Sequence, residues 1–148
     1  MKEIPLAEIT LRKYEKPTNL NYRQLAKKIC LSLGLLQSGD SRDIVVDILL
    51  VLKKAQKEKR ELTVEEIKKE LLASREKNGL EIKGIADSNI RRQLKKLRDI
   101  LLVEKRANKY RLNEFLKLHE IFEKKIEKFY FPNLIERIKE YLKEFDEI

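Results

Sequence analysis

Apolar side chains recur every three or four residues along most of this chain, and this pattern predicts a mainly helical protein. A leading helix is expected over 21–37, because Asn21 and Gln24 have the spacing of a capping box. Its predicted buried stripe consists of Leu25, Ile29, Leu33 and Leu36. That spacing places the four side chains on one face of a helix of about four turns.

The second predicted helix contains the most apolar segment of the chain. It is expected to begin at a cap formed by Asp40 or Ser41 and to run to about Lys57. Residues 44–52 are apolar on nearly every side of this helix. We therefore expect the second helix to lie at the centre of the core, in contact with neighbours on several sides.

A third helix is predicted to open at Thr63 and Glu66, which form another capping-box pattern. Asn78 and Gly79 are the expected stop signal for this helix. Residues 78–86, which include this stop signal, are expected to form a loop.

The fourth helix and a hairpin follow the loop. Asp87 is the expected cap of a helix over 87–100. Its predicted buried stripe consists of Ile90, Leu94, Leu97 and Leu101. Two short extended stretches, LLVEK and KYRL, come next, and Asn108 lies in the turn between them. Asn108 is the residue expected to adopt a positive φ in that turn.

The first 20 residues, 1–20, are interpreted as an N-terminal arm. Apolar residues alternate in it as in short strands: Ile4, Leu6, Ile9 and Leu11. Arg12, Lys13 and Lys16 make its end basic. The arm is expected to pack on its own core or on a partner subunit, and a contact with the DNA backbone is the alternative.

The tail, 113–148, is predicted to form two helices separated by Pro132. The apolar residues of the first are Phe115, Leu118, Phe122, Ile126 and Phe129. Those of the second, which we interpret as the seam of a homodimer, are Leu134, Ile138, Leu142 and Phe145. The alternative is that both helices fold back on their own subunit.

Composition argues against most enzyme chemistry. The chain has 148 residues with one cysteine and one histidine, too few for a Cys/His metal cluster. Cys30 is expected to be a buried structural thiol and His119 a partly buried residue of a helix. No phosphate-binding loop, metal motif or nucleophile with a base is present in the sequence, so no cofactor, metal or enzymatic activity is expected. The sequence shows no signal segment and no apolar run long enough to span a bilayer. We therefore expect a cytoplasmic location and no membrane association.

The strings SNIRRQLKKLRDILLVEK and KYRL carry a family resemblance. In this order and spacing, residues 41–112 resemble the winged helix-turn-helix DNA-binding proteins, of the type found among archaeal and bacterial transcription regulators. The resemblance implies a mainly α fold: a winged helix-turn-helix core with a small β-wing, plus additional N- and C-terminal helices. The core would occupy 21–112, including the leading helix. Two features depart from the family pattern: the loop 78–86 is longer, and Leu101 stands where the family usually has glycine.

Positive charge is concentrated in the fourth helix and the hairpin. The chain has a formal net charge of +9, but residues 86–112 alone carry +6 and the tail carries −2. The residues expected to contact DNA are Ser88, Asn89, Arg91, Arg92, Lys95, Lys96, Arg98, Arg106 and Lys109. Arginine and asparagine suit base edges, whereas lysine suits phosphates.

These features predict sequence-specific or semi-specific binding of double-stranded DNA by a dimeric, nucleoid-associated transcription regulator. A symmetric dimer would present two recognition helices to a pseudo-palindromic site. The alternative is a winged-helix module that holds protein partners in a transcription, replication or chromatin assembly. Binding to RNA or the ribosome is a third interpretation, and a merely solvated basic face is a fourth.

Overall fold

The architecture is mainly helical with one small antiparallel sheet, which confirms the predicted secondary-structure class. The computed structural model describes residues 2–40 and 42–148. Helices and strands follow in the order Tyr22–Ser32 (α1), Ile44–Lys57 (α2), Val64–Lys77 (α3), Asp87–Asp99 (α4), Val103–Arg106 (β1), Lys109–Leu112 (β2), Leu118–Ile121 (α5) and Phe131–Asp146 (α6). Residues Phe122–Tyr130, here called the π segment, join α5 to α6. No helix in the described ranges is both long and apolar enough to cross a membrane.

Helix α2 lies at the centre of the core, which confirms the prediction from its apolar sequence. It packs against α1, α3, α4 and β2, and most of its residues are buried. The predicted cap at Asp40 is wrong, because Asp43 occupies the N-cap position and its side chain makes no capping hydrogen bond. The Asp40 carboxylate instead accepts a hydrogen bond of 2.9 Å from the backbone N–H of Gln37. The alternative cap, Ser41, lies outside the described residues.

Helix α1 begins as predicted and ends early. The capping box is confirmed, since the Asn21 side chain accepts from the backbone N–H of Gln24 at 2.8 Å and the Gln24 side chain accepts from that of Asn21 at 2.9 Å. Gly34 then takes a φ of +70°, which ends the helix well before residue 37. A Cβ at Gly34 would lie 2.5 Å from the Cβ of Thr10, so glycine is required where the arm crosses. The predicted stripe is partly wrong, because Leu25 is exposed and the fully buried residues of the helix are Ala26, Cys30 and Leu31.

The arm packs on its own core and forms no strand between residues 2 and 20. The backbone N–H of Arg12 donates to the carbonyl of Ser32 at 2.8 Å. Its guanidinium donates to the carbonyls of Leu31 at 3.1 Å and Leu36 at 3.4 Å. Arg12 therefore satisfies carbonyl groups of the last turn of α1 and of the segment after it, and its positive charge lies at the negative end of the helix dipole.

A buried ion network joins three helices. Asp47 of α2 is 1% exposed and accepts hydrogen bonds from both Arg23 of α1 and Arg75 of α3. Asp43 accepts from Arg23 at 2.8 Å and lies 3.4 Å from Arg75. Burial raises the pKa of Asp43, but the hydrogen bond and charge of Arg23 and the charge of Arg75 outweigh it, so the pKa lies below its usual 3.8.

The two predicted extended stretches form an antiparallel hairpin, in which Val103 lies opposite Leu112 and Arg106 opposite Lys109. On the other edge of β2, Leu62 exchanges two backbone hydrogen bonds with Tyr110, at 2.9 and 2.7 Å. This bridge fixes the hairpin to the start of α3. Tyr110 is buried beneath the hairpin.

The conformation of the hairpin turn differs from the prediction. Ala107, with a φ of +55°, adopts the left-handed conformation, and Asn108 does not. A positive φ at the first of two turn residues is the position where the right-handed twist of the strands favours glycine.

Ala107→Gly is therefore expected to raise the free energy of unfolding by about 0.5–1 kcal/mol. Relief of left-handed strain in an exposed alanine is worth about 1–2 kcal/mol, and the greater entropy of glycine in the unfolded chain offsets part of it. Urea unfolding followed by circular dichroism measures the change. The matched control is Asn108→Gly, which relieves no strain and should destabilise. Equal effects of the two substitutions would contradict this description of the turn.

The tail has no break at Pro132, so the prediction of two separate helices is wrong. Backbone angles remain helical from α5 through the π segment into α6. Pro132 lies in the first turn of α6, where a missing N–H is tolerated. The wider π turn also changes which side chains are buried: Ile121 and Ile126, five residues apart, are fully buried, whereas Phe129 is exposed.

The two halves of the tail are packed differently. Helix α5 and the π segment cover the core through Ile121 and Ile126, whereas α6 contains no buried residue. His119 is exposed rather than partly buried, and its ring lies 3.9 Å from Glu123. Folding back on the same subunit therefore describes the first half of the tail only.

Candidate nucleic-acid interface

Helix α4 presents one face to the core and the opposite face to solvent. Its side chains Ile90, Leu94 and Leu97 are fully buried, and the helix packs on α2 and α3. The predicted contact residues that are exposed on it are Ser88, Arg91, Arg92, Lys95, Lys96 and Arg98. The predicted cap at Asp87 is wrong, because Ala86 is the N-cap and the Asp87 carboxylate pairs with Lys68 at 3.2 Å.

Leu101 does not belong to the buried stripe of α4, which corrects the prediction. The helix ends at Asp99, and Leu101 takes a φ of +65° that turns the chain towards β1. Ile100 and Leu102, on either side, are buried instead. Glycine adopts this left-handed conformation more readily than leucine does.

The long loop 78–86 is attached to both helices that it joins. Arg75 of α3 donates through Nε to the carbonyl of Glu81 at 2.7 Å. Asn89 of α4 donates through Nδ2 to the carbonyl of Gly84 at 2.6 Å. These bonds hold α4 in a defined position relative to α3. They also use the amide of Asn89, whose oxygen accepts from Gln93 at 3.2 Å, so its side chain serves the loop.

A polar groove of about 300 Å³ runs beside α4. Arg92 and Lys96 line it from α4, and Arg42 lines it from the segment before α2. Asp40 adds one carboxylate to the same groove. Sequence reasoning missed Arg42, because it is fifty residues from Arg92 and outside any recognisable pattern.

The hairpin adds cations of two kinds. Arg106 is 58% exposed and lies 3.3 Å from Glu61, and Lys109 is exposed. Arg111 is held internally, 2.5 Å from Glu104 and over the ring of Phe115 at 4.6 Å. The charge of Arg111 is therefore used within the fold, whereas Arg106 and Lys109 face solvent.

Six cations of this surface have no acidic partner among residues 2–40 and 42–148, where no carboxylate oxygen lies within 4.0 Å of them. They are Arg42, Arg91, Arg92, Lys96, Arg98 and Lys109. Lys95 does have a partner, Asp99, at 3.2 Å. An exposed pair of this kind is worth at most about 1 kcal/mol, so Lys95 can exchange it for another anion.

The predicted dimer seam lies on α6, the last helix in chain order. Ile138, Leu142 and Phe145 are exposed, and Leu134 is half-buried. The large exposed residues Tyr141 and Ile148 lie on the same helix or directly after it. Sequence reasoning placed Tyr141 beside the seam and did not include Ile148.

Comparisons with models of protein families, with characterised proteins and with solved structures found no match to this chain. Its function is therefore inferred from its own fold and charges.

Proposed function

We propose that this protein binds double-stranded DNA as a winged helix-turn-helix transcription regulator. Helix α4 would enter the major groove, and the β1–β2 hairpin would be the wing. The observation that carries this proposal is the set of six cations without an acidic partner among the described residues, on the surface formed by α4, the hairpin and Arg42. Phosphate contacts of this kind supply most of the affinity of proteins for DNA.

The arrangement of the helices supports the same proposal. Helices α2, α3 and α4 pack against one another, and β1 packs on α4 directly after it. Helix α3, the loop 78–86 and α4 have the order of a helix-turn-helix, and Leu62 adds a bridge beside β2. A recognition helix of thirteen residues is about 20 Å long and fits a major groove about 12 Å wide.

We assign different contacts to different side chains. Arg91 and Arg98 have the donor geometry for guanine edges, whereas Arg42, Arg92 and Lys96, which line the groove, suit phosphates. Lys95, Arg106 and Lys109 add phosphate contacts on the helix and the hairpin. Neither α4 nor residues 103–109 contain an aromatic residue, which disfavours stacking on single strands.

A salt titration of the intact protein tests this proposal. Binding to a labelled duplex of about 20 base pairs, followed by fluorescence anisotropy, should weaken with salt at a logarithmic slope of about −5. Six phosphate contacts at about 0.9 each give this value. The same strand in single-stranded form and a hairpin RNA are the controls and should bind more weakly. No duplex binding at low salt, or preference for the RNA, would contradict the proposal.

The second candidate, a protein-interaction module, is favoured by the exposed apolar face of α6. It predicts that a stoichiometric partner of different sequence co-purifies with the protein after nuclease treatment. DNA binding predicts instead that nuclease removes whatever co-purifies. Mass spectrometry of the treated and untreated preparations separates the two candidates.

A further inference from the structure

Helix α6 is amphipathic, and its apolar face has no cover in the described chain. None of its residues is buried, and its main neighbour is the π segment that precedes it. Large apolar residues recur at intervals of three and four along α6 and directly after its end: Phe131, Leu134, Ile138, Tyr141, Phe145 and Ile148. Tyr141 and Phe145 are 72% and 73% exposed. A sustained three-four spacing of this kind is typical of a helix that pairs with another helix.

We propose that α6 pairs antiparallel with α6 of a second copy, in the register that sets Phe131 against Ile148 of the partner subunit. This inference specifies the dimer partner and orientation, and it does not depend on DNA binding.

The spacing of the apolar residues favours this register. In this register the two helices form three kinds of contact layer, and two-fold symmetry repeats each of them once. The layers pair Phe131 with Ile148 of the partner subunit, Leu134 with the partner's Phe145, and Ile138 with the partner's Tyr141. All six positions of this three-four series then meet an apolar position of the partner subunit. The interface closes on itself, as the interface of a two-fold dimer must.

The residues beside these layers are complementary in the same register. Arg137 and Glu144 occupy one flank, and antiparallel pairing places Arg137 of each helix about two residues from Glu144 of the partner subunit, or about 3 Å along the axis. In the single chain, Arg137 lies 2.7 Å from Glu140 in an exposed pair, which is weak enough to exchange. Ile135 and Leu142 occupy the other flank and would widen the apolar seam.

Parallel pairing fits less well. It would set Arg137 against Leu142 of the partner subunit and leave Glu144 without a cation opposite. It would also bring together two acidic C-terminal ends, each containing Glu144, Asp146 and Glu147. Antiparallel helices have the further advantage that their dipoles oppose each other.

A charge exchange tests the register by sedimentation equilibrium of the full chain without DNA. Arg137→Glu and Glu144→Arg should each weaken the dimer about tenfold, because each creates two like-charge contacts. The double variant R137E/E144R should return the dissociation constant to within about twofold of the original. Lys139→Glu, the same charge change on the outer face of α6, is the matched control and should change it by less than about twofold. Circular dichroism verifies that each variant is folded.

Disulfide trapping tests the orientation independently. Under mild oxidation, Leu134→Cys mixed with Phe145→Cys should give a cross-linked pair, and Leu134→Cys alone should not. Cys30 does not compete, since burial, helped by the charge of Asp47, raises the pKa of its thiol to about 12. Cross-linking of Leu134→Cys with itself would establish parallel pairing and overturn the proposal. A monomer at about 100 µM would overturn it as well, whatever the result for DNA.

Discussion

Replacement of Arg92 and Lys96 together by alanine is expected to lower the affinity for duplex DNA about 60-fold at 0.1 M salt. Each phosphate contact contributes about 0.9 to the logarithmic salt slope, so the loss of two contacts lowers the slope by about 1.8. Over the tenfold range from 1 M to 0.1 M salt, a slope lower by about 1.8 corresponds to an affinity lower by about 60-fold. Anisotropy titrations at four or five salt concentrations give both the affinity and the slope.

The matched control for this prediction is Lys139→Ala with Lys143→Ala. It removes the same charge from the exposed surface of α6. It should leave both the affinity and the slope close to those of the original protein. If the two double variants behaved alike, the basic surface of α4 would not be the DNA contact and only the overall charge would matter.

Asp47→Ala is expected to lower the free energy of unfolding by about 3–5 kcal/mol. The substitution leaves Arg75, itself almost fully buried, and Arg23 without the carboxylate that both of them contact. Removal of one partner from a buried ion network carries a cost of this size, because the Arg75 side chain is only 7% exposed and is poorly hydrated. Urea unfolding at neutral pH measures the loss.

Asp40→Ala is the control for the ion network, since Asp40 is exposed and accepts a local hydrogen bond from Gln37. It should cost about 1 kcal/mol or less. An Asp47→Ala variant as stable as the Asp40→Ala control would contradict the assigned role of the network.

Asp43 gives the stability of the fold a pH dependence of defined sign. Because its pKa is lowered in the folded state, its contribution to stability is present above its usual pKa of 3.8 and is lost as the pH falls through the lower pKa of the folded state.

Local sequence patterns were sufficient where the signal and its hydrogen bond lie within a few residues. The capping boxes at Asn21 and Thr63 close within three residues, so distant contacts do not alter them. The exposure of Arg92 and Lys96 was also predictable, because helical periodicity alone sets them opposite Leu94 and Leu97.

Turns and the tail were less predictable because packing chooses between locally similar conformations. Leu101 and Ala107 both adopt a left-handed backbone that neither residue prefers. The pairing of Tyr110 with Leu62 and the register of the hairpin hold the chain in these conformations. In the tail, burial of both Ile121 and Ile126 requires a π turn, which a period of 3.6 residues does not anticipate.

The sequence by itself determined the helical class, the hairpin and the concentration of positive charge on residues 86–112, because periodicity and charge are local properties of the chain. Only the tertiary structure decided which cations form one surface. It brought Arg42 beside Arg92, assigned Asn89 to the loop, and placed Arg111 inside the hairpin. It also left the apolar face of α6 without a cover among the described residues. These outcomes depend on contacts between residues far apart in the chain, and no local pattern specifies such contacts.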